Sequence, residues 1–370
     1  MEKKLFVQGN EAVGWGAIAA GCEAFFGYPI TPQNEITEWF AREFPAQGKV
    51  FVQSQSETGS INMLHGAAAC GVRAMTSTSG PGWGLMQEGM SNLANSELPC
   101  VIVLVQRGGP GAGTTRHAQM DYMSTTHGGG AGGYRNIVLA PASVQETYDL
   151  VQLAFHVADK YRNPVIVLSD AILGQMAEPL ERKALDFGPL PDKDWVVRGR
   201  GRHGDGKRRS ISIGQGFMPN PTYPTYLSFM EGLDRKFSQM REAEVRYETH
   251  FTEDAELILV AYGSVARVSQ GAVNMARAAG LRVGLVRPIT LWPFPYEAIR
   301  SLAGDSVRFL VVEDSLGQMV EDVRAAVAER SPVHFLGMLV RHEPREMGMI
   351  FPDRVFEEIE GIMSLARMSP

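Results

Sequence analysis

Short continuous apolar runs alternate with amphipathic stretches through the first half of the chain. Residues 101–105 (VIVLV), 137–141 (IVLAP) and 164–169 (PVIVLS) are unbroken apolar runs bounded by Gly, Pro or Asp. That is the pattern of strands buried on both faces. Residues 10–22, 33–43, 57–70, 83–95 and 144–160 instead repeat apolar positions at helical spacing. Strand and helix in alternation predict a doubly wound α/β sheet. Near residue 186 the rhythm breaks. Residues 187–226 are rich in Pro, Gly and Arg, and within them Arg198, Arg200, Arg202, Lys207, Arg208 and Arg209 surround a single acid, Asp205. Such a run is read either as a solvated or partner-facing linker or as a patch for a polyanionic cofactor tail such as that of coenzyme A. One charged helix is expected over 227–249. From 256 the α/β rhythm restarts, with strands at 257–261, 282–287, 308–312 and 333–339 and helices at 265–279 and 316–329. The expected organisation is a first α/β domain over 1–186, a linker with a charged helix over 187–255, and a second α/β domain over 256–370.

Composition narrows the function classes. A chain of 370 residues with 44% hydrophobic and 21% charged residues suits two or three globular domains. No apolar run reaches the roughly 18 residues of a membrane span, and the first residues turn polar too early for a secretory signal, so a cytoplasmic protein is expected. A net charge of −6 argues against nucleic-acid binding. The three cysteines, Cys22, Cys70 and Cys100, are far apart and form no CxxC pair. That excludes a disulfide framework and a cysteine-ligated cluster. All three are expected to be buried as small hydrophobes, and any iron–sulfur centre would have to sit on another chain.

Four loops carry candidate chemistry. In GYPITPQNEI (27–36), two prolines restrict the backbone around Thr31. Thr31 then either presents its hydroxyl to an anion near a helix N-terminus or caps that helix. In SQSETGSINM (54–63), Glu57 stands in the first turn of a small-residue helix. There it either complements the helix dipole or faces a buried interface, where desolvation lets it share a proton with a ligand nitrogen. The loop TSTSGPGWGLM (76–86) joins a strand to a helix through hydroxyls and glycines, and Ser79, Gly80 and Gly82 can bring backbone N–H groups close to a ligand. It fits neither the P-loop nor the dinucleotide fingerprint. The loop QRGGPGAGTTRH (106–117) follows a buried strand, where ligands of open α/β sheets bind. Its Arg107 and Arg116 suit a carboxylate or phosphate, or they decorate a surface loop. His117 and His127 lack metal-ligand spacing and receive no role; no metal ligand is expected on this chain. Gly204-Asp205-Gly206 has the opening of a thiamine-diphosphate metal motif, but no apolar strand precedes it, and it is read as accidental.

Taken together, GYPITPQNEI, SQSETGSINM, TSTSGPGWGLMQEG, ELPCVIVLVQRGGPGAG, ADKYRNPVIVLSD, YGSVARV, RPITLWPFP and VVEDSLGQM resemble, in order through both domains, the α subunit of 2-oxoacid:ferredoxin oxidoreductases. The 2-ketoisovalerate (3-methyl-2-oxobutanoate) branch is the nearest likeness and the 2-oxoglutarate branch the next. The resemblance implies a pyrimidine-binding thiamine-diphosphate domain followed by a transketolase C-terminal-like domain. It implies that Glu57 bonds the aminopyrimidine and that Thr31 and Arg107 hold the oxoacid carboxylate; Arg116, read from its loop as a further substrate contact, stands where the family usually has a threonine. It further implies a thiamine diphosphate shared with a β subunit that carries Mg²⁺ and a [4Fe–4S] cluster. Further γ and ferredoxin-like δ subunits, ferredoxin as acceptor and coenzyme A as co-substrate belong to the same expectation. Where the 2-oxoglutarate branch reads RGGPSTG-L-PT this chain reads RGGPGAG-T-TR, and residues 127–134 replace the usual His-Gly-Asp-His. These departures point away from 2-oxoglutarate and leave a branched-chain or aromatic 2-oxoacid. A dehydrogenase subunit serving lipoamide and a non-catalytic assembly subunit are the other readings.

Overall fold

The computed structural model describes residues 4–197, 210–211, 220–339 and 349–368. The basic run 198–209, with its Gly-Asp-Gly, lies outside the described residues. The chain opens with β1 (Leu5–Gln8) and α1 (Gly9–Ala19). It continues through β2 (Ala24–Gly27), α2 (Asn34–Ala46), β3 (Val50–Gln53), α3 (Glu57–Ala69), β4 (Ala74–Thr78), α4 (Gly80–Asn95) and β5 (Cys100–Gln106). Then come α5 (Tyr122–Thr126), β6 (Ile137–Leu139), α6 (Val144–Tyr161), β7 (Pro164–Asp170), α7 (Ala171–Gln175) and β8 (Ala177–Leu180). The second half holds α8 (Tyr226–Ala243), β9 (Tyr247–His250), β10 (Leu257–Val260), α9 (Gly263–Ala278), β11 (Val283–Pro288), β12 (Thr290–Trp292), α10 (Tyr296–Leu302), β13 (Arg308–Val312), α11 (Met319–Val327), β14 (Val333–Leu336) and α12 (Pro352–Met368).

The first sheet has the order β12-β6-β7-β5-β4-β2-β3. Its strands β2 to β7 run parallel, as α/β crossovers require. Every residue of β5 and β7 is buried, which is why those segments read as unbroken apolar runs. The second sheet has the order β14-β13-β10-β11-β9, parallel except for β9. Both are the expected α/β sheets, and the helices read from periodicity all form. One apolar cluster joins the two halves: it includes Leu64, Met86 and Ile102 from the first and Val260, Val286 and Phe309 from the second.

Three expectations are corrected. The charged helix expected over 227–249 ends at Ala243. Glu244, 2% exposed, accepts hydrogen bonds from Lys160 (2.7 Å), Tyr161 (2.8 Å) and Arg246 (2.8 Å). That network turns the chain, and residues 247–250 become an edge strand on β11. The segment after β11 also crosses back as β12, antiparallel to β6 of the first sheet. Cys22 and Cys100 are buried, but Cys70 is exposed, because it sits at the C-cap of α3 where Gly71, at φ +79°, leads the chain away. The ribbon of β1 with β8, strand β2 and helix α12 were not anticipated.

Arg287 of β11 ties the halves together. It is 5% exposed and donates to both oxygens of Glu146 on α6 (2.8 and 2.7 Å) and to Glu248 on β9 (3.0 Å). Removing one partner of such a group leaves charges without compensation. The two carboxylates keep partial access to water, which reduces that penalty. Arg287→Met is expected to cost on the order of 2 kcal/mol, seen as a lower thermal midpoint at unchanged secondary structure. An unchanged midpoint would show that the pair adds nothing to the junction.

Candidate active site

The strand order reverses between β2 and β4, and ligands of open α/β sheets bind outside the carboxyl ends at such a point. All four sequence loops emerge there, after β2, β3, β4 and β5. The 28–33 loop is fixed from below by Gln33, which is fully buried. Its amide donates to the Tyr28 carbonyl (3.1 Å) and its oxygen accepts from Ser77 Oγ on β4 (2.5 Å) and Thr37 Oγ1 (3.3 Å). Gln33, not Thr31, stands at the N-cap of α2. Among the described residues the Thr31 hydroxyl accepts only a long bond from Asn34 (3.4 Å), so capping does not consume it.

Glu57 is the first residue of α3, after an N-cap Ser56 whose hydroxyl accepts from the Gly59 N–H (3.3 Å). Ser54 and Ser60 pair at 2.5 Å beneath the turn. Glu57 is 4% exposed, and its carboxylate has no hydrogen-bond or ion-pair partner among the described residues. Gly82 on α4 faces it. A Cβ at Gly82 would overlap Thr78 Oγ1 and stand 2.5 Å from Glu57 Oε1, so the notch exists only because residue 82 has no side chain. Ser79 is fully buried at the N-cap of α4, yet its hydroxyl caps nothing and has no partner among the described residues.

Arg107 reaches across the site. Nη1 donates to the Thr31 carbonyl and Nη2 to the Ala112 carbonyl, both at 2.8 Å, while Nε is buried without a partner. The loop closes on itself through Gly108 N to Arg116 O (3.1 Å) and Thr114 N to Gly108 O (2.8 Å). Gly113, at φ +51°, allows this close approach, since a Cβ there would overlap the Gly108 carbonyl. Thr31, Arg116 and His117 share a cavity of about 350 Å³. The structure therefore joins Thr31 to Arg107 and Arg116, and Glu57 to Gly82, with Gly80 and Ser79 between the pairs. A second cavity of about 420 Å³, between α8 and α10, contains none of these residues.

Sequence reasoning left a buried acid cluster unread. His117 lies with Nδ1 3.5 Å from Asp170 Oδ1 and Nε2 3.2 Å from Asp314 Oδ2. Asp170 ends β7 of the first sheet and Asp314 follows β13 of the second. Burial, with Asp170 nearby, pushes the Asp314 carboxyl up to about 7. Asp170 also accepts from Leu173 N (3.0 Å) and Ser264 N (3.1 Å), fixing α7 and the start of α9. An acid ending a buried apolar run was the available signal for both. Asp121, between Arg107 and Gly80, was also missed and had no periodic signal.

This geometry defines an α/β protein of the thiamine-diphosphate-binding class. The profile described as pyruvate flavodoxin/ferredoxin oxidoreductase, thiamine diphosphate-binding, matches residues 15–248. The profile for pyruvate:ferredoxin oxidoreductase core domain II matches residues 255–347. The chain belongs to the pyruvate flavodoxin/ferredoxin oxidoreductase family. It is 51% identical over 326 residues to the ketoisovalerate oxidoreductase subunit VorB of Methanothermobacter marburgensis, covering 86% of this chain and 89% of that one. It is 37% identical over 381 residues to the 2-oxoglutarate synthase subunit KorA of the same organism, covering 98% and 100%. Among solved structures it resembles a 2-oxoglutarate:ferredoxin oxidoreductase from Magnetococcus marinus with 2-oxoglutarate, coenzyme A and succinyl-CoA bound (TM-score 0.82, 27% identity). That match covers 97% of this chain and 65% of the other. No helix among the described residues is long and apolar enough to cross a membrane.

Proposed function

We propose that this chain is the glutamate-bearing catalytic subunit of a cytoplasmic 2-oxoacid:ferredoxin oxidoreductase acting on 3-methyl-2-oxobutanoate. The observation that carries this reading is Glu57, a buried and unpartnered carboxylate opposite the Gly82 notch at the sheet's switch point. With no partner among the described residues, the carboxylate is free to hydrogen-bond a ligand nitrogen. Glu57 would hold a proton at the aminopyrimidine ring of thiamine diphosphate, with Ser79, Gly80 and Gly82 lining the same face. When bound, the cofactor supplies the electron sink for decarboxylation. Thr31 and Arg107 would orient the oxoacid carboxylate, and Arg116 lines the adjoining cavity. Among the described residues no cluster of His, Cys, Asp or Glu suits a metal. The Mg²⁺ and the [4Fe–4S] cluster are assigned to a β subunit, with γ and ferredoxin-like δ subunits completing the assembly. Coenzyme A takes the acyl group and ferredoxin the electrons. The branched-chain substrate is supported by the 51% identity to a ketoisovalerate oxidoreductase subunit.

The test is anaerobic viologen reduction by the complex that co-purifies with this chain. Reduction that requires 3-methyl-2-oxobutanoate, coenzyme A and thiamine diphosphate together is the expected result. Reduction with 2-oxoglutarate or an aryl 2-oxoacid alone would keep the reaction and overturn the substrate. Silence with every oxoacid would favour a lipoamide-linked or assembly role. In the same assay Arg107→Ala is expected to lower kcat/KM on the order of a hundredfold, the worth of charged hydrogen bonds to one carboxylate. An unchanged kcat/KM would remove Arg107 from the substrate site.

A further inference from the structure

Asp121 occupies the N-cap position of α5, yet its carboxylate makes no capping bond. Its backbone N–H is held instead by Gln106 Oε1 (3.2 Å), at the end of β5. Both carboxylate oxygens stand 3.6 Å from the place a Cβ would take at Gly80, and Arg107 Cγ stands 4.0 Å from that same place. Three buried polar atoms in this part of the site have no partner among the described residues: Ser79 Oγ, Arg107 Nε and Asp121 Oδ2. Buried polar groups are normally paired, so three orphans gathered at one helix start mark a place made for a polar ligand. Burial pushes the Asp121 carboxyl up to about 6, with the Arg107 charge pulling it down. The acid is therefore charged at neutral pH, in poorly solvated surroundings where charges act strongly on each other.

Resting on the reading that Arg107 holds the oxoacid carboxylate, we infer that Asp121 is a positioning residue that opposes that carboxylate across Arg107. Asp121 makes no ion pair with Arg107 among the described residues, so a carboxylate held by that guanidinium would feel the Asp121 charge through space. Cleavage of the C1–C2 bond releases neutral CO2 and leaves the bonding electron pair on the C2 fragment, so the substrate's charge leaves the neighbourhood of Asp121. A group that weakens the ground state and spares the decarboxylated state raises kcat at the expense of KM.

The experiment is calorimetric binding of 2-hydroxy-3-methylbutanoate, which cannot be decarboxylated, and of its neutral amide, to the assembled complex. Asp121→Asn keeps the shape and removes the charge. It is expected to tighten the carboxylate on the order of tenfold, the size of one pKa unit of charge interaction, and to leave the amide unchanged. Turnover of 3-methyl-2-oxobutanoate is expected to show a lower KM with a lower kcat. Equal effects on carboxylate and amide, or none on either, would overturn the proposal. Asp121→Ser carries the same expectations and replaces the first variant if that does not assemble. Arg107→Ala, measured in parallel, separates the two ideas. If it leaves carboxylate binding intact, the substrate site itself is wrong. If it weakens binding while Asp121→Asn has no effect, only the role of Asp121 fails.

Discussion

Glu57→Gln is expected to abolish turnover in the assembled complex, by on the order of 10² to 10⁴-fold, while assembly and thermal stability stay close to those of the parent. The amide fills the volume of the carboxylate, so the packing around α3 and the Ser56 cap are undisturbed. What disappears is the carboxyl that would hold a proton against the ligand ring nitrogen. The parent carboxylate is buried without a partner, so its replacement breaks no hydrogen bond or ion pair with the described residues. Stability is therefore expected to stay close to that of the parent. Steady-state viologen reduction and the melting curve of the same preparation read both halves of this expectation. Parent-like turnover would remove Glu57 from the chemistry and favour the assembly-subunit reading.

The second large effect is expected at Gly82→Ala. One methyl group there meets Thr78 Oγ1 and Glu57 Oε1 at once, on the same face of α4 that buries Met86, Met90 and Leu93 in the core. A shift of α4 would pull that buried face out of the core, so the contact is relieved by displacing the Glu57 side chain. Overpacking of this kind costs about 1–3 kcal/mol, and displacement of a catalytic group by an ångström is expensive. The expected result is retained assembly, a thermal midpoint lowered by a few degrees, and loss of thiamine-diphosphate-dependent turnover on the scale of Glu57→Gln. Titration of the complex with thiamine diphosphate, followed by fluorescence, checks it. Parent-like affinity and turnover would show that Gly82 does not shape the cofactor face. Gly84, two residues on, has open space at its Cβ, and Gly84→Ala is the control that leaves the site intact.

The sequence by itself determined the class of fold and marked the four loops that the fold gathers at one end of the first sheet. Parallel strands buried on both faces must be apolar throughout, so β5 and β7 are visible as runs. Helices with one buried face repeat at 3.6 residues, so α3, α4 and α6 are visible as periods. The four loops were legible because close backbone approach demands glycine and restricted turns demand proline, and such residues stand out from any neighbourhood. Glu57, Thr31, Arg107, Gly80 and Gly82 were all marked in this way.

Tertiary structure alone decided how these parts meet. Nothing local makes residues 247–250 a strand. They pair with β11 because the Glu244 network ends α8 and the open edge of the second sheet accepts them. Likewise β12 crosses to β6 because an unpaired edge is available there. The Arg107 contact with Thr31 spans 76 residues and the His117 contact with Asp314 spans nearly 200, so neither leaves a trace in periodicity or spacing. Asp121 illustrates the limit. Its sequence neighbours offer an ordinary helix cap, and only the fold brings its carboxylate against Gly80 with no cap to make. Local composition encodes what each segment can become, whereas long-range burial and charge are properties of the assembled chain.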